Sequence, residues 1–205
     1  MARNRTFIIL FIMLVLLCGI GYWSWRALDD DRAQEPTVKI ERFDRVLDEY
    51  VSLGSYTALH RLNTEYPRET KLLIENVLQI GRVDEAHVEK KLRHYYLDST
   101  VQVLLDEVHH QYSDLSDLED EFAQAFDSLR TLDASFPVPR VYAQIACLRQ
   151  SIVVSDSLIG ISLDKYLGED FSLYPQFFTP EQRQHMTRQA IVPDAISLYL
   201  RSLRE

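Results

Sequence analysis

The hydrophobic pattern of the chain falls into three regimes. Residues 6–25, TFIILFIMLVLLCGIGYWSW, are apolar almost without interruption and carry no charge. From residue 39 to about 133 the apolar positions recur at helical spacing: Ile40, Phe43, Leu47, Tyr50 and Val51, then Leu59, Leu62 and Tyr66, with Gly54 and Pro67 as punctuation. The pattern is strongest over 116–132, where Leu118, Phe122, Ala125, Phe126, Leu129 and Leu132 share one face. Ser116, followed three residues later by Glu119, reads as a capping box at its start. Phe136-Pro137-Val138-Pro139 ends the helical regime.

After these prolines the period becomes two. Val141, Ala143, Ile145 and Cys147 alternate with Tyr142, Gln144 and Ala146; Ile152 and Val154 follow a turn at Arg149-Gln150. A second turn, Ser155-Asp156-Ser157, leads to Ile159, Ile161 and Leu163 on one side with Gly160, Ser162 and Asp164 on the other. The expected arrangement is a small antiparallel β-meander at about 140–165. Thr179-Pro180-Glu181-Gln182 opens a helix with a capping box and a proline at its first position. Pro193-Asp194 starts the last helix, with Ile196, Leu200 and Leu203 as its stripe. A mostly helical first half, a small sheet and C-terminal helices make an α+β fold.

The apolar stretch predicts a membrane segment. Its twenty residues, at about 1.5 Å each, give a helix of roughly 30 Å, the thickness of the bilayer's hydrocarbon core. Arg3 and Arg5 precede it, and Tyr22, Trp23 and Trp25 gather at its far end, where amphipathic rings prefer the headgroup level. Gly19 and Gly21 make a weak cleavage site, and Leu17 is too large to stand before a lipid-modified Cys18, so an uncleaved signal anchor is expected. The short N-terminal tail places residues 26–205 on the periplasmic side of a bacterial cell membrane, crossed once. Residues 26–38, with Asp29-Asp30-Asp31, form a polar linker, and 39–205 the folded domain.

Charge narrows the partners. Without Arg3 and Arg5 the remainder carries 20 basic against 31 acidic residues, a net charge of −11. Such a surface disfavours nucleic acid and offers no polybasic patch for anionic lipid. Cys18 and Cys147, one in the membrane segment and one far outside it, do not predict a disulfide.

Candidate chemistry is sparse. His109 and His110 are adjacent, so on a helix their imidazoles diverge by about 100° and cannot share one metal. Asp106 and His110 share a face, which reads as a surface ion pair rather than a metal site. None of Ser151, Ser155, Ser157 or Ser162 sits in a nucleophile elbow, and Gly160 and Gly168 are too isolated to cradle a phosphate, so no cofactor is expected. Asp156 and Asp164 could be paired carboxylates in a cleft; the plainer reading makes Asp156 a turn residue and Asp164 a strand end.

Several segments carry a resemblance. Asp156-Ser157-Leu158, Ser162-Leu163-Asp164-Lys165-Tyr166-Leu167-Gly168, Tyr174-Pro175 and Ile191-Val192-Pro193-Asp194 lie within residues 140–194. With Ile40-Glu41-Arg42-Phe43-Asp44 and Tyr66-Pro67, they resemble the GldB-like family of gliding-motility-associated proteins of Bacteroidota over about 38–205. The resemblance implies an envelope-anchored accessory protein that works through protein partners in the gliding and linked secretion machinery. Family members are usually lipoproteins and continue beyond the Val-Pro-Asp helix, so a missing C-terminal portion is expected. Residues 190–205 would then be loosely held. Distant similarity to zincin-like metallopeptidases gives the alternative, a degenerate or truncated relative whose histidine motif would lie in that portion. Under either reading Asp156, Ser162, Asp164 and Tyr166 would border a cleft or interaction surface.

Overall fold

The computed structural model describes residues 38–204. The predicted anchor at 6–25 and nearly all of the linker lie outside them. No helix among the described residues is long and apolar enough to cross a membrane.

The chain enters on a two-residue strand, β1 (Ile40–Glu41), within the region read as helical. Ile40 and Phe43 share a helical spacing, but both are core residues of different elements, and three residues of pattern cannot separate the two. Helices α1 (Phe43–Leu53) and α2 (Tyr56–Thr64) pack against each other across Gly54. Gly54 takes the left-handed conformation (φ 68°) that closes α1, and its N–H donates to the Tyr50 carbonyl. Next, α3 (Pro67–Lys71) runs into a π-helical segment, Leu72–Leu78. Three more helices follow: α4 (Val88–Tyr96), α5 (Ser99–Gln111) and α6 (Ser116–Leu132).

In α6 the buried stripe is Leu118, Phe122 and Phe126, narrower than expected, and Leu132 at its end is 85% exposed. The expected Ser116–Glu119 box does not form. Asp114 accepts from the Ser116 N–H (3.1 Å) instead, while Glu119 reaches out of the helix to accept the Ile40 N–H at 2.9 Å. An edge strand with a free donor took the carboxylate that a helix end would have used.

The strands that follow are β2 (Arg140–Gln144), β3 (Ile152–Ser155) and β4 (Leu158–Ser162). The sheet is not the expected antiparallel meander. Its order is β1-β2-β4-β3, with β1/β2 and β2/β4 parallel and only β3/β4 antiparallel. The Ser155–Leu158 hairpin stands as read, but Arg149-Gln150 is no tight turn. Residues 145–151 carry the chain past the end of β4 to the far edge, and β4 returns into the gap. Alternation identifies a strand and says nothing of its neighbour, hence the error.

Both faces of the central strands are covered. Neighbouring residues Val141 and Tyr142, or Ile159 and Gly160, point to opposite faces, and all are buried. Gly160 lies opposite Tyr142, whose ring fills the space where a side chain would stand; a Cβ there would come within 2.5 Å of it. The C-terminal part holds the short α7 (Pro180–Arg183), with the expected Thr179–Gln182 capping box in place, and α8 (Ile191–Ser202). This last helix is packed, not bare. It starts two residues earlier than read and buries Ile191, Val192, Ala195 and Tyr199 against β3, β4 and α6, while Leu203 is exposed. Tyr199 donates to the Pro137 carbonyl at 2.9 Å, tying the helix to the segment before β2.

Candidate functional site

The four predicted site residues separate into two places. Asp156 occupies the β3–β4 turn with a positive φ of 46° and pairs with Arg68 of α3 at 2.9 Å. Ser162 and Asp164 lie at the other end of β4, roughly 17 Å away at strand rise. The two aspartates therefore cannot act as a carboxylate pair. Ser162 and Asp164 are fully buried, and Tyr166 nearly so, with its hydroxyl at the edge of a groove.

Asp164 organises the crossing of residues 145–151. Its carboxylate accepts the Ala146 N–H at 2.8 Å and the Leu148 N–H at 2.5 Å. Cys147, between these donors, and Leu148, the second of them, adopt left-handed backbone (φ 52° and 62°), unusual for residues bearing a side chain. The carboxylate rewards a conformation that the two residues would not choose alone. Burial pushes its pKa upward, while the two amides pull it back, and burial has the larger effect. Ser162 is engaged as well, accepting from the Gln144 amide at 3.1 Å.

Tyrosine hydroxyls hold the surrounding backbone. Tyr96 donates to the Ile145 carbonyl, Tyr112 to the Tyr166 carbonyl and Tyr174 to the Asp164 carbonyl, and Tyr174 also accepts the Leu167 N–H. Each phenol is buried, and burial raises its pKa well above the ordinary value near 10. These groups position the loop. They are not poised for proton transfer at neutral pH.

Two concave surfaces flank the crossing. On one side, Gln150, Ser151, Tyr166, Asp194, Leu198 and Arg201 line a polar groove of about 390 Å³. The Tyr166 hydroxyl donates to Asp194 at 2.9 Å; burial and then the Asp194 charge raise its pKa. On the other side, Cys147, Leu148 and Arg149 border an apolar cavity with α5 and the Phe177-Phe178 pair. Cys147 is a free thiol whose pKa burial pushes up, so it is a poor nucleophile.

The sequence reading reached Tyr166 and missed Asp194 as its partner, although both stand in segments that carry the resemblance. Leu198 and Arg201 gave no signal beyond helical periodicity. The histidine pair resolves simply: His109 lies 3.2 Å from Asp48 of α1, and His110 is exposed. Among the described residues no group of three His, Cys, Asp or Glu side chains is placed to hold a metal ion.

Residues 26–205 match the family described as gliding motility protein GldB. The chain belongs to the GldB family. Neither the curated proteins nor the solved structures give a match to it. The match takes in the whole described GldB-family domain, so the buried Asp164, the Tyr166 groove and the mixed sheet all lie within it.

Proposed function

We propose that this GldB-family protein is a membrane-tethered, envelope-facing accessory component of the gliding machinery, acting through protein partners. The observation that carries the reading is the extent of the family match, which runs from Arg26 to Glu205 and begins where the uncharged stretch 6–25 ends. The folded domain is the working part, and residues 6–25 hold it at the membrane. Residues 26–38 act as a polar spacer on the periplasmic side. The partner-facing surface is the groove at Tyr166 and Asp194. Ser162 and Asp164 support it from beneath, and Asp156 ties the far end of the hairpin to α3. Burial supports this division of labour: Ser162 and Asp164, with no exposure, can only fix the backbone, whereas Asp194 stands exposed at the groove and holds the Tyr166 hydroxyl.

The tether has a direct test. In fractionated cells the full chain is expected in the membrane pellet and to resist high-salt washing, and a chain lacking residues 6–25 is expected in the soluble fraction. A shortened chain that still sediments with membranes would show that the domain itself binds there. Cys18→Ser separates the two modes of attachment. The variant stays in the pellet if residues 6–25 span the membrane, and it is released if a lipid on Cys18 provides the hold.

A further inference from the structure

The apolar cavity beside the crossing loop is separate from the Tyr166 groove, and its features converge on one kind of ligand. It is open to solvent and offers about 690 Å³ between the start of α5, residues 147–149 and the Phe177-Phe178 pair. That volume is in the range of sites for small molecules. Val101, Leu104, Leu148 and Phe178 supply an apolar lining. Phe177, in the lining, is 53% exposed. A large exposed apolar side chain in an apolar cavity leaves area for a ligand to cover.

The lining also holds a cation, Arg149, in a domain that is acidic as a whole. The Arg149 guanidinium donates to a neutral partner, the Tyr95 hydroxyl at 3.3 Å, and has no carboxylate partner among the described residues. The one acid in the lining, Asp98, is committed to capping α5, accepting the Thr100 N–H at 2.8 Å. The first turn of α5 also borders the cavity, with the positive end of its dipole. The left-handed pair Cys147-Leu148, held by Asp164, forms part of the wall.

We propose that this cavity binds a small amphiphilic monocarboxylate, with its apolar body against Val101, Leu104, Leu148 and Phe178 and its carboxylate on Arg149. A free acid of lipid origin and an aromatic alkanoic acid share this chemistry. An apolar body without the carboxylate would leave the Arg149 charge unused, and a carboxylate without the body would leave the lining wet.

The test is calorimetric titration of the full chain, held in nanodiscs, with phenylbutyrate and with its uncharged analogue phenylbutanol; empty nanodiscs give the blank. The acid is expected to bind saturably at one site, and the alcohol roughly tenfold or more weakly, the difference expected for a charge-assisted contact. Arg149→Gln should lower the acid to the level of the alcohol and leave the alcohol unchanged. Val101→Trp should abolish both, with the circular dichroism spectrum retained as proof of folding. Dodecanoate competing for the same site would identify the lipid-derived source, and its failure to compete would favour the aromatic acid. Equal affinity for acid and alcohol, an unchanged acid affinity in Arg149→Gln, or no saturable heat would overturn the proposal. Tighter competition by a peptide ending in a free apolar residue would overturn it as well, in favour of a peptide terminus as occupant.

Discussion

Replacing Asp164 by alanine is expected to cost this domain a large share of its stability. The substitution strips the acceptor from the buried Ala146 N–H and the half-buried Leu148 N–H at the turn that carries the chain past β4. An unsatisfied buried donor costs about 1–3 kcal/mol, so the two together amount to at most about 6 kcal/mol, against a typical net stability of about 5–15 kcal/mol. The left-handed Cys147 and Leu148 lose their support at the same time, and the loop is expected to relax. Asp164→Asn should fall between, because its oxygen can serve one N–H while its amide group faces the other. Urea unfolding of the three forms checks this order. A stability for Asp164→Ala within about 0.5 kcal/mol of the parent, the usual range for a neutral surface change, would mean that the crossing is held by something else. The sign of the pH effect follows from burial. Since the folded carboxyl has a raised pKa, the proton-linked part of its contribution is full below the ordinary value near 4 and is lost as pH rises through the folded value, leaving the two hydrogen bonds. Asp164 therefore gives no route to acid unfolding.

Alkali should have the opposite character. Tyr96, Tyr112, Tyr142, Tyr166 and Tyr174 are all buried, and burial is the main cause raising each phenol above its ordinary value. Above about pH 10 the unfolded chain releases these protons and the folded chain keeps them, so stability is present below pH 10 and declines above it. Each group contributes a slope of about 1.4 kcal/mol per pH unit, and five together give roughly 7 kcal/mol per unit. A domain of ordinary stability should then unfold cooperatively between about pH 10.5 and 12. The expected signature is a rise of most tyrosinate absorbance together with loss of helical circular dichroism. Absorbance that rises from pH 10 while the helical signal stays constant would show that these phenols are accessible in the fold.

How far the sequence reaches is clearest at particular residues. Leu118, Phe122 and Phe126 announced the buried face of α6, and Thr179 with Gln182 announced a helix start, because both signals are local. Strand segments were legible at Val141–Gln144 and Ile159–Ser162 for the same reason. Strand order was not, since it depends on a crossing fixed by Asp164 from a distance of 16 and 18 residues along the chain. Nothing in Cys147-Leu148 signals left-handed backbone, which glycine ordinarily marks. The buried role of Ser162 and Asp164 was also hidden. Polar residues alternating with Ile159 and Ile161 imitate a solvent face, but here the second face is covered too. Tyr166 and Asp194 were both recognised as parts of family-like segments, and the hydrogen bond between them, spanning 28 residues, exists only in the fold.

The proposed partner-facing surface is the Tyr166 groove. Leu198 lines that groove, and His60 lies exposed on α2, which takes no part in it. A photo-crosslinking amino acid placed at each position in turn, in the full chain in living cells, gives the most direct test. We expect a discrete heavier adduct with an envelope protein from position 198, lost when Asp194→Arg replaces the carboxylate of the groove with a cation, and none from position 60. No adduct from position 198, or the same adducts from both positions, would contradict the account.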